Sequence, residues 1–153
     1  MGTRREGRVA HMTTARWILA AWCMVLSLAA LAAAGDPVQV VYHNNEAVQR
    51  APQMLRNIRN HLTADPTAKI VVVSHAVGID FLMRDAKDAN GNPFEVTVQD
   101  LVSKGVEFRA CEFTLKARNL DPKVLIEEAK LVPSGVAEVG RLQAREGYVY
   151  LKP

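Results

Sequence analysis

The feature that most constrains the fold is a short apolar run near the middle of the chain, Lys69-Ile-Val-Val-Val-Ser74. Apolar and polar residues do not alternate in this run, so it suits a strand that is covered on both faces. Strands of this kind lie at the centre of parallel sheets, whose consecutive strands are joined by helical crossovers. The run therefore predicts an α/β fold.

The rest of the chain alternates strand-like and helix-like segments, separated by turn signals rich in proline, asparagine and glycine. Strands are predicted over residues 38–42, 69–74, 106–110, 131–132 and 148–151. Helices are predicted over residues 52–64, 79–83, 96–102, 111–117, 121–129 and 136–146. This order predicts an open, mostly parallel five-stranded sheet flanked by helices, flavodoxin-like in outline.

The N-terminal segment resembles a secretory leader. Four arginines precede an apolar run over residues 17–34, and three alanines end that run before Gly35. A basic region, an apolar region and small residues at the cleavage site are typical of a signal peptide, so residues 1–34 are predicted to be removed. Translation from Met12 would leave a more ordinary leader. The alternative is an uncleaved membrane anchor, since the run approaches the length that spans a bilayer.

The predicted mature chain, residues 35–153, has the size of one domain and carries no net charge. The whole sequence has a formal net charge of +3, and residues 1–34 account for it with four arginines and one glutamate. A neutral domain argues against a nucleic-acid or acidic-lipid surface. Cys111 is the only cysteine after residue 34, so no internal disulfide can form in the mature chain.

Cys111 lies where a predicted strand runs directly into a predicted helix. At such a junction the unpaired N–H groups and the positive end of the helix dipole favour a thiolate over a thiol. Cys111 is therefore a candidate nucleophile or sulfur carrier. The alternative is an inert, buried apolar side chain at a tight turn.

Polar and small residues follow the predicted strands, and in an open α/β sheet these positions meet at one edge, where ligands bind. They are predicted to steady a thiolate or to bind a small ligand. A plain structural role is the alternative: His75 would bond a loop carbonyl, and Ser134 would cap a helix rather than act as a nucleophile. The candidates are His43, Asn44, Ser74, His75, Gly78, Cys111, Ser134 and Gly135.

Several well-known motifs are missing from the sequence. It has no Cys-x-x-Cys, no P-loop, no Gly-x-Gly-x-x-Gly and no His-Glu-x-x-His. This argues at the motif level against thioredoxin-like, nucleotide-binding and zinc-protease functions. No cofactor and no recognised metal motif is expected, and flavin binding would rest on fold analogy alone.

The chain resembles the DsrE/DsrF-like family of small sulfur-relay proteins over residues 38–153. The segments that carry the likeness include Val40-Val-Tyr-His43, Val71-Val-Val-Ser-His75 with Gly78, and residues 105–118 around Cys111. The resemblance implies a three-layer α/β sandwich, assembly into trimers or hexamers, and a cysteine after a central strand that accepts sulfane sulfur as a persulfide. Cys111 matches that position.

Two functions are weighed. In the first, an exported, periplasmic or secreted sulfur carrier holds sulfur on Cys111 while His75 or His43 stabilises the charge, and whether it is a sulfurtransferase-type enzyme stays open. In the second, a non-catalytic oligomer binds a small ligand or a metal through the same three residues. The expected partners are further copies of the chain and a sulfur donor or acceptor protein. Neither nucleic acid nor, once the leader is cleaved, a membrane is expected.

Overall fold

The computed structural model describes residues 36–153. The predicted leader, the start at Met12 and the cleavage site after Ala34 lie outside the described residues. Within residues 36–153, no helix combines the length and the apolar character needed to cross a bilayer.

A single sheet of five strands forms the middle layer, and every pair of neighbouring strands is parallel. The spatial order is β4-β3-β2-β1-β5, so the apolar run that forms β2 occupies the centre. This confirms the predicted parallel α/β sheet. The strands are β1 Gln39–Asn44, β2 Lys69–Ser74, β3 Glu107–Cys111, β4 Ala129–Val132 and β5 Val149–Leu151.

The helices cover both faces of the sheet, which gives the three layers. The α-helices are α1 Ala51–Ala64, α2 Phe94–Ser103, α3 Glu112–Ala117 and α4 Gly135–Glu146. Short 3-10 helices, Val48–Arg50, Ala76–Leu82 and Pro122–Val124, complete the connections. The short helix predicted over residues 79–83 is thus a 3-10 helix that begins three residues earlier.

Two hydrophobic clusters lie on opposite faces of the sheet. The larger cluster packs α1 and α2 against alternate strand residues such as Val40 and Val72. The smaller cluster packs α4 against the intervening residues, including Val41 and Val73. Because successive strand residues point to opposite faces, His43 belongs to the α4 face.

The strand register brings the chemistry-bearing residues to one edge. β1 and β2 pair over their full lengths, with Asn44 opposite Ser74, and Ser74 also pairs with Ala110 of β3. The three central strands therefore end together, and Cys111 is the last residue of β3.

One predicted helix is wrong. The segment 121–129 forms only the 3-10 turn Pro122–Val124, and Ala129 already belongs to β4. The local signal was a capping aspartate before a proline, and Asp121 does cap this turn. Beyond it, Leu125 forms an isolated antiparallel bridge with Met83, and this pairing keeps the chain extended.

Candidate functional site

The candidate site lies at the carboxyl edge of the sheet, on the face covered by α4. Cys111 ends β3 and is the N-cap residue of α3, with φ −73° and ψ 117°. This is the strand-to-helix junction that the sequence predicts. The residue is only 5% exposed, and its side chain points to the same face as Arg109, toward α4.

Hydrogen-bond donors surround the Cys111 sulfur. Burial by itself raises the pKa of the thiol, but hydrogen bonds from the Thr114 hydroxyl and from the N–H groups of Gly135, Thr114 and Phe113 lower it. The hydrogen bonds prevail, and the pKa of Cys111 lies below its ordinary value. A charged acceptor gains most from such donors, so the pocket favours the thiolate.

The Thr114 hydroxyl ties the sulfur to the loop after β2. It accepts a hydrogen bond of 2.9 Å from the N–H of Ala76, so its own hydrogen is left to donate to the sulfur. Ala76 has φ +51°, which is uncommon for a residue with a Cβ atom. This backbone conformation costs about 1 kcal/mol, and the contacts that hold the loop in place offset that cost.

Gly135 permits the close packing of α4 against the site. A Cβ atom at this position would lie 3.0 Å from the Cβ of His75 and 3.3 Å from the Cβ of Cys111. Both residues therefore flank the same point in space, directly beneath the first turn of α4. The hydroxyl of Ser134 accepts a hydrogen bond of 3.3 Å from the N–H of Ala137, so Ser134 is the N-cap of α4.

His43 and His75 form a pair. Their Nε2 atoms are 2.7 Å apart and their rings are stacked, with centroids 4.9 Å apart. One Nε2 must donate and the other accept, so the pair cannot carry two charges without losing this bond. The Nδ1 atom of His43 is also 2.9 Å from the hydroxyl of Tyr150 in β5.

The environment disfavours the charged form of both imidazoles. Burial, His75 and Lys152 lower the pKa of His43, and burial and Lys152 lower the pKa of His75. Within residues 36–153, neither ring hydrogen-bonds the Cys111 sulfur. The stabilisation of the thiolate charge predicted for His75 or His43 therefore involves no direct hydrogen bond to the sulfur, because the two rings bond each other and the donors to the sulfur come from Thr114, Gly135 and Phe113.

Asn44 and Gly78 brace the loop instead of facing the sulfur. The Asn44 side chain donates a 2.8 Å hydrogen bond to the carbonyl of Gly78, and its backbone carbonyl accepts one of 3.1 Å from His75. A Cβ atom on Gly78 would lie 2.4 Å from that same carbonyl oxygen, so only glycine fits. Ser74 is fully buried on the opposite face from Cys111, and among residues 36–153 its hydroxyl has no hydrogen-bond partner.

A metal centre is not supported by this geometry. Across residues 36–153, no three His, Cys, Asp or Glu side chains are grouped to hold a metal ion. The Nε2 atoms of His43 and His75, 2.7 Å apart, are closer than the roughly 3.3 Å expected for two ligands each about 2.0 Å from a tetrahedral zinc ion.

Sequence reasoning did not single out Thr114 or Tyr150. Thr114 lies three residues after the capping cysteine, where a side chain returns to the start of its own helix, and that spacing was available as a signal. Tyr150 reaches His43 because β5 pairs with β1, and no local pattern reveals the strand order.

Comparison with known proteins gives a family and two similar structures. The model of the DsrE/DsrF-like family matches residues 23–153. The search of curated proteins found no match to the chain. The solved structure of MTH1491, a protein of unknown function from Methanobacterium thermoautotrophicum, is 32% identical with a TM-score of 0.67, and the match covers 76% of this chain and 99% of that one.

The crystal structure of the YchN protein from E. coli is similar in fold, with a TM-score of 0.61 and 12% identity over 77% of this chain and 99% of that one. The family model spans most of the chain, including all three central strands and Cys111. The chain therefore belongs to the DsrE/DsrF-like family.

Proposed function

We propose that the chain is a sulfur carrier that holds sulfane sulfur on Cys111 as a persulfide. The observation that carries the proposal is the set of donors on the Cys111 sulfur, from Thr114, Gly135 and Phe113, which lowers the pKa of the thiol. Membership of the DsrE/DsrF-like family, which is linked to sulfur relay in general, supports it.

The chemistry requires only the thiolate and a donor. The Cys111 thiolate attacks the outer sulfur of a persulfide R–S–SH, and a new S–S bond forms while the old one breaks. Its electron pair leaves with R–S⁻, and the product is Cys111–S–SH. Attack by an acceptor thiolate on the outer sulfur reverses the sequence and regenerates the Cys111 thiolate.

We assign the His43–His75 pair to proton transfer around this step. His75 flanks the same point as Cys111 beneath Gly135, and one proton can be held between the two Nε2 atoms. The pair can give a proton to the departing R–S⁻ and take one back when Cys111–S–SH ionises to the persulfide anion. His75→Gln should then slow the transfer without preventing formation of the adduct.

Intact-mass spectrometry tests the carrier function. After incubation with polysulfide and removal of excess donor, the protein should gain the mass of one sulfur atom, and reductant should remove it. Cys111→Ser should abolish the gain, whereas Cys23→Ser should retain it. A chain that gains no sulfur from polysulfide or from an organic persulfide is not a carrier.

We further propose that copies of the chain assemble into a trimer or hexamer through β5. In the part of the chain that the structure describes, this strand pairs with β1 on one side only, and Val149, Tyr150 and Leu151 are 54%, 38% and 37% exposed. An exposed apolar edge strand invites pairing with a further chain. Because Tyr150 bonds His43, assembly at this edge would also fix one side of the site.

We also propose that the protein is exported to the periplasm or to the outside of the cell. It rests on the basic and apolar composition of residues 1–34. The mass of the protein recovered from an exporting host should correspond to a chain that begins at Gly35. A full-length chain that stays with the membrane fraction would show an uncleaved anchor instead.

A further inference from the structure

We infer that Val77, Phe113 and Val136 select an apolar organic persulfide as the donor for Cys111, an inference that rests on the carrier function proposed above. These three side chains are called the apolar collar. They are 46%, 60% and 64% exposed, and the backbone of each either bonds the buried Cys111 sulfur or directly follows a residue whose N–H bonds a group of the site.

Each member of the collar comes from a different segment that touches the site. The backbone N–H of Phe113 donates a hydrogen bond to the Cys111 sulfur. The N–H of Gly135 also donates to this sulfur, and Val136 is the next residue in the chain. Val77 follows Ala76, whose N–H bonds the Thr114 hydroxyl. The three segments meet because the carboxyl ends of β2 and β3 and the start of α4 share one edge.

The charges near the collar are neutralised in ion pairs. Lys116 pairs with Glu112 at 3.2 Å, and Arg118 pairs with Asp80 at 2.5 Å. On the histidine side, Lys152 pairs with Glu46 at 3.0 Å. Because each of these three cations already has a carboxylate partner, we expect inorganic thiosulfate to gain little from them, whereas an apolar substituent gains by covering the collar.

The depth of the sulfur sets the size of the donor. Cys111 is 5% exposed, so only a small reacting group can reach its sulfur. A small persulfide with an alkyl or aryl substituent can place its outer sulfur on Cys111 while the substituent stays against the collar. The burial of Cys111 limits the size of the donor, and the collar favours an apolar substituent. Together they favour a small organic persulfide.

The test compares two methanethiosulfonates that react identically and differ only in the group they transfer. The thiolate attacks the sulfenyl sulfur of CH₃SO₂–S–R, forms Cys111–S–S–R and releases CH₃SO₂⁻. The probes carry benzyl and 2-sulfonatoethyl groups. For each probe, the rate of reaction with folded Cys23→Ser protein is divided by the rate with the same protein unfolded in urea.

The folded protein should prefer the benzyl probe by about tenfold after this normalisation, the gain expected from covering roughly 60 Å² of apolar surface. Phe113→Ser and Val136→Ser should each reduce the preference several-fold. Val96→Ser is the matched control, because Val96 is 65% exposed on α2 and should leave the preference unchanged.

A normalised preference near one, or collar variants that behave like Val96→Ser, would overturn the inference. So would a benzyl rate that falls as the protein concentration rises, since a second copy would then be covering the collar. The reaction of these probes with the Cys111 thiolate does not require that the protein form a persulfide. A chain that shows the preference but gains no sulfur from any donor refutes the carrier function, and a chain that gains sulfur without the preference refutes only the donor class.

Discussion

At the scale of single residues, the ionisation of Cys111 depends on donors that can be removed one at a time. Thr114 is the best choice, because its hydroxyl donates to the sulfur while the Ala76 N–H holds it in position. Removal of this hydroxyl leaves the three backbone donors, the N–H groups of Gly135, Thr114 and Phe113. The size of the change therefore measures one donor.

Thr114→Val should raise the pKa of Cys111 by about one unit, since one hydrogen bond to a charged group contributes about 1.5 kcal/mol. Thr114→Ser should restore the low value, because serine keeps the hydroxyl. The pH dependence of the iodoacetamide alkylation rate measures both. Equal midpoints in the wild type and in Thr114→Val would show that the hydroxyl does not stabilise the thiolate.

The histidine pair makes a separate prediction about pH. Burial, His75 and Lys152 hold the pKa of His43 below its ordinary value, so the unfolded chain binds more protons as the pH falls below about 6.5. The free energy of unfolding should decline from that pH down to the folded-state pKa. Urea denaturation at several pH values should show this decline, and His43→Gln should reduce it. An unchanged profile in His43→Gln would contradict the account.

At the scale of elements, a partly buried charge cluster fastens α4 to β3 beside the site. Glu138 is 9% exposed, accepts a 2.8 Å hydrogen bond from Arg141 and is paired with Arg109. Arg109 also donates to Glu107 at 2.9 Å. Because Gly135 begins the same helix, the position of α4 determines whether its N–H reaches the Cys111 sulfur.

Glu138→Gln should lower the free energy of unfolding at pH 7 by about 2 kcal/mol, because it leaves Arg109 short of a buried partner. Asp100→Asn is the control: the Asp100 side chain is 41% exposed, and its pairs with Arg59 and Lys104 should contribute under about 1 kcal/mol. Urea denaturation compares them. Equal losses in the two variants would contradict a structural role for the cluster.

The charge cluster around Glu138 should also make the free energy of unfolding depend on pH in the acid range. Hydrogen bonding by Arg141 and Arg109 lowers the pKa of Glu138 against the effect of burial. Its stabilisation is therefore complete above the unfolded-state pKa of about 4.3 and is lost as the pH falls through the lower folded-state value. Glu138→Gln should flatten the stability profile in this range, and a profile as steep as the wild type would exclude the assignment.

The sequence predicted the elements far better than their arrangement. The unbroken apolar residues of β2 revealed a central strand, and the junction at Cys111 was visible because strand and helix patterns meet there. The helix predicted over 121–129 failed because the bridge between Leu125 and Met83 overrides a local capping signal. Long-range pairing of this kind leaves no trace in local periodicity.

In the candidate site, too, the positions of residues along the strands were predictable, whereas their contacts across the sheet were not. That His43, Ser74 and Cys111 lie at the carboxyl ends of strands could be predicted from the strand pattern. The orientation of the two imidazoles toward each other could not, because it depends on the register of β1 against β2 and on Tyr150 reaching across from β5. Whether these residues act in chemistry stays a prediction.

At the scale of the whole molecule, the exposed residues of β5 predict self-association. Val149→Lys should reduce the molar mass seen by light scattering from that of a trimer or hexamer toward that of a single chain, because a charged edge strand resists pairing. Val96→Lys places the same charge on an equally exposed valine of α2 and should leave the mass unchanged. If both variants keep the wild-type mass, β5 is not the interface.

The most direct test of the account is the titration of the Cys111 thiol itself, followed by thiolate ultraviolet absorbance in the Cys23→Ser chain with the Cys111→Ser variant as the blank. The donors from Thr114, Gly135 and Phe113 predict a midpoint below that of the same chain unfolded in urea. A folded-state midpoint equal to or above the unfolded one would mean that burial dominates, and that Cys111 is an inert side chain rather than a sulfur carrier.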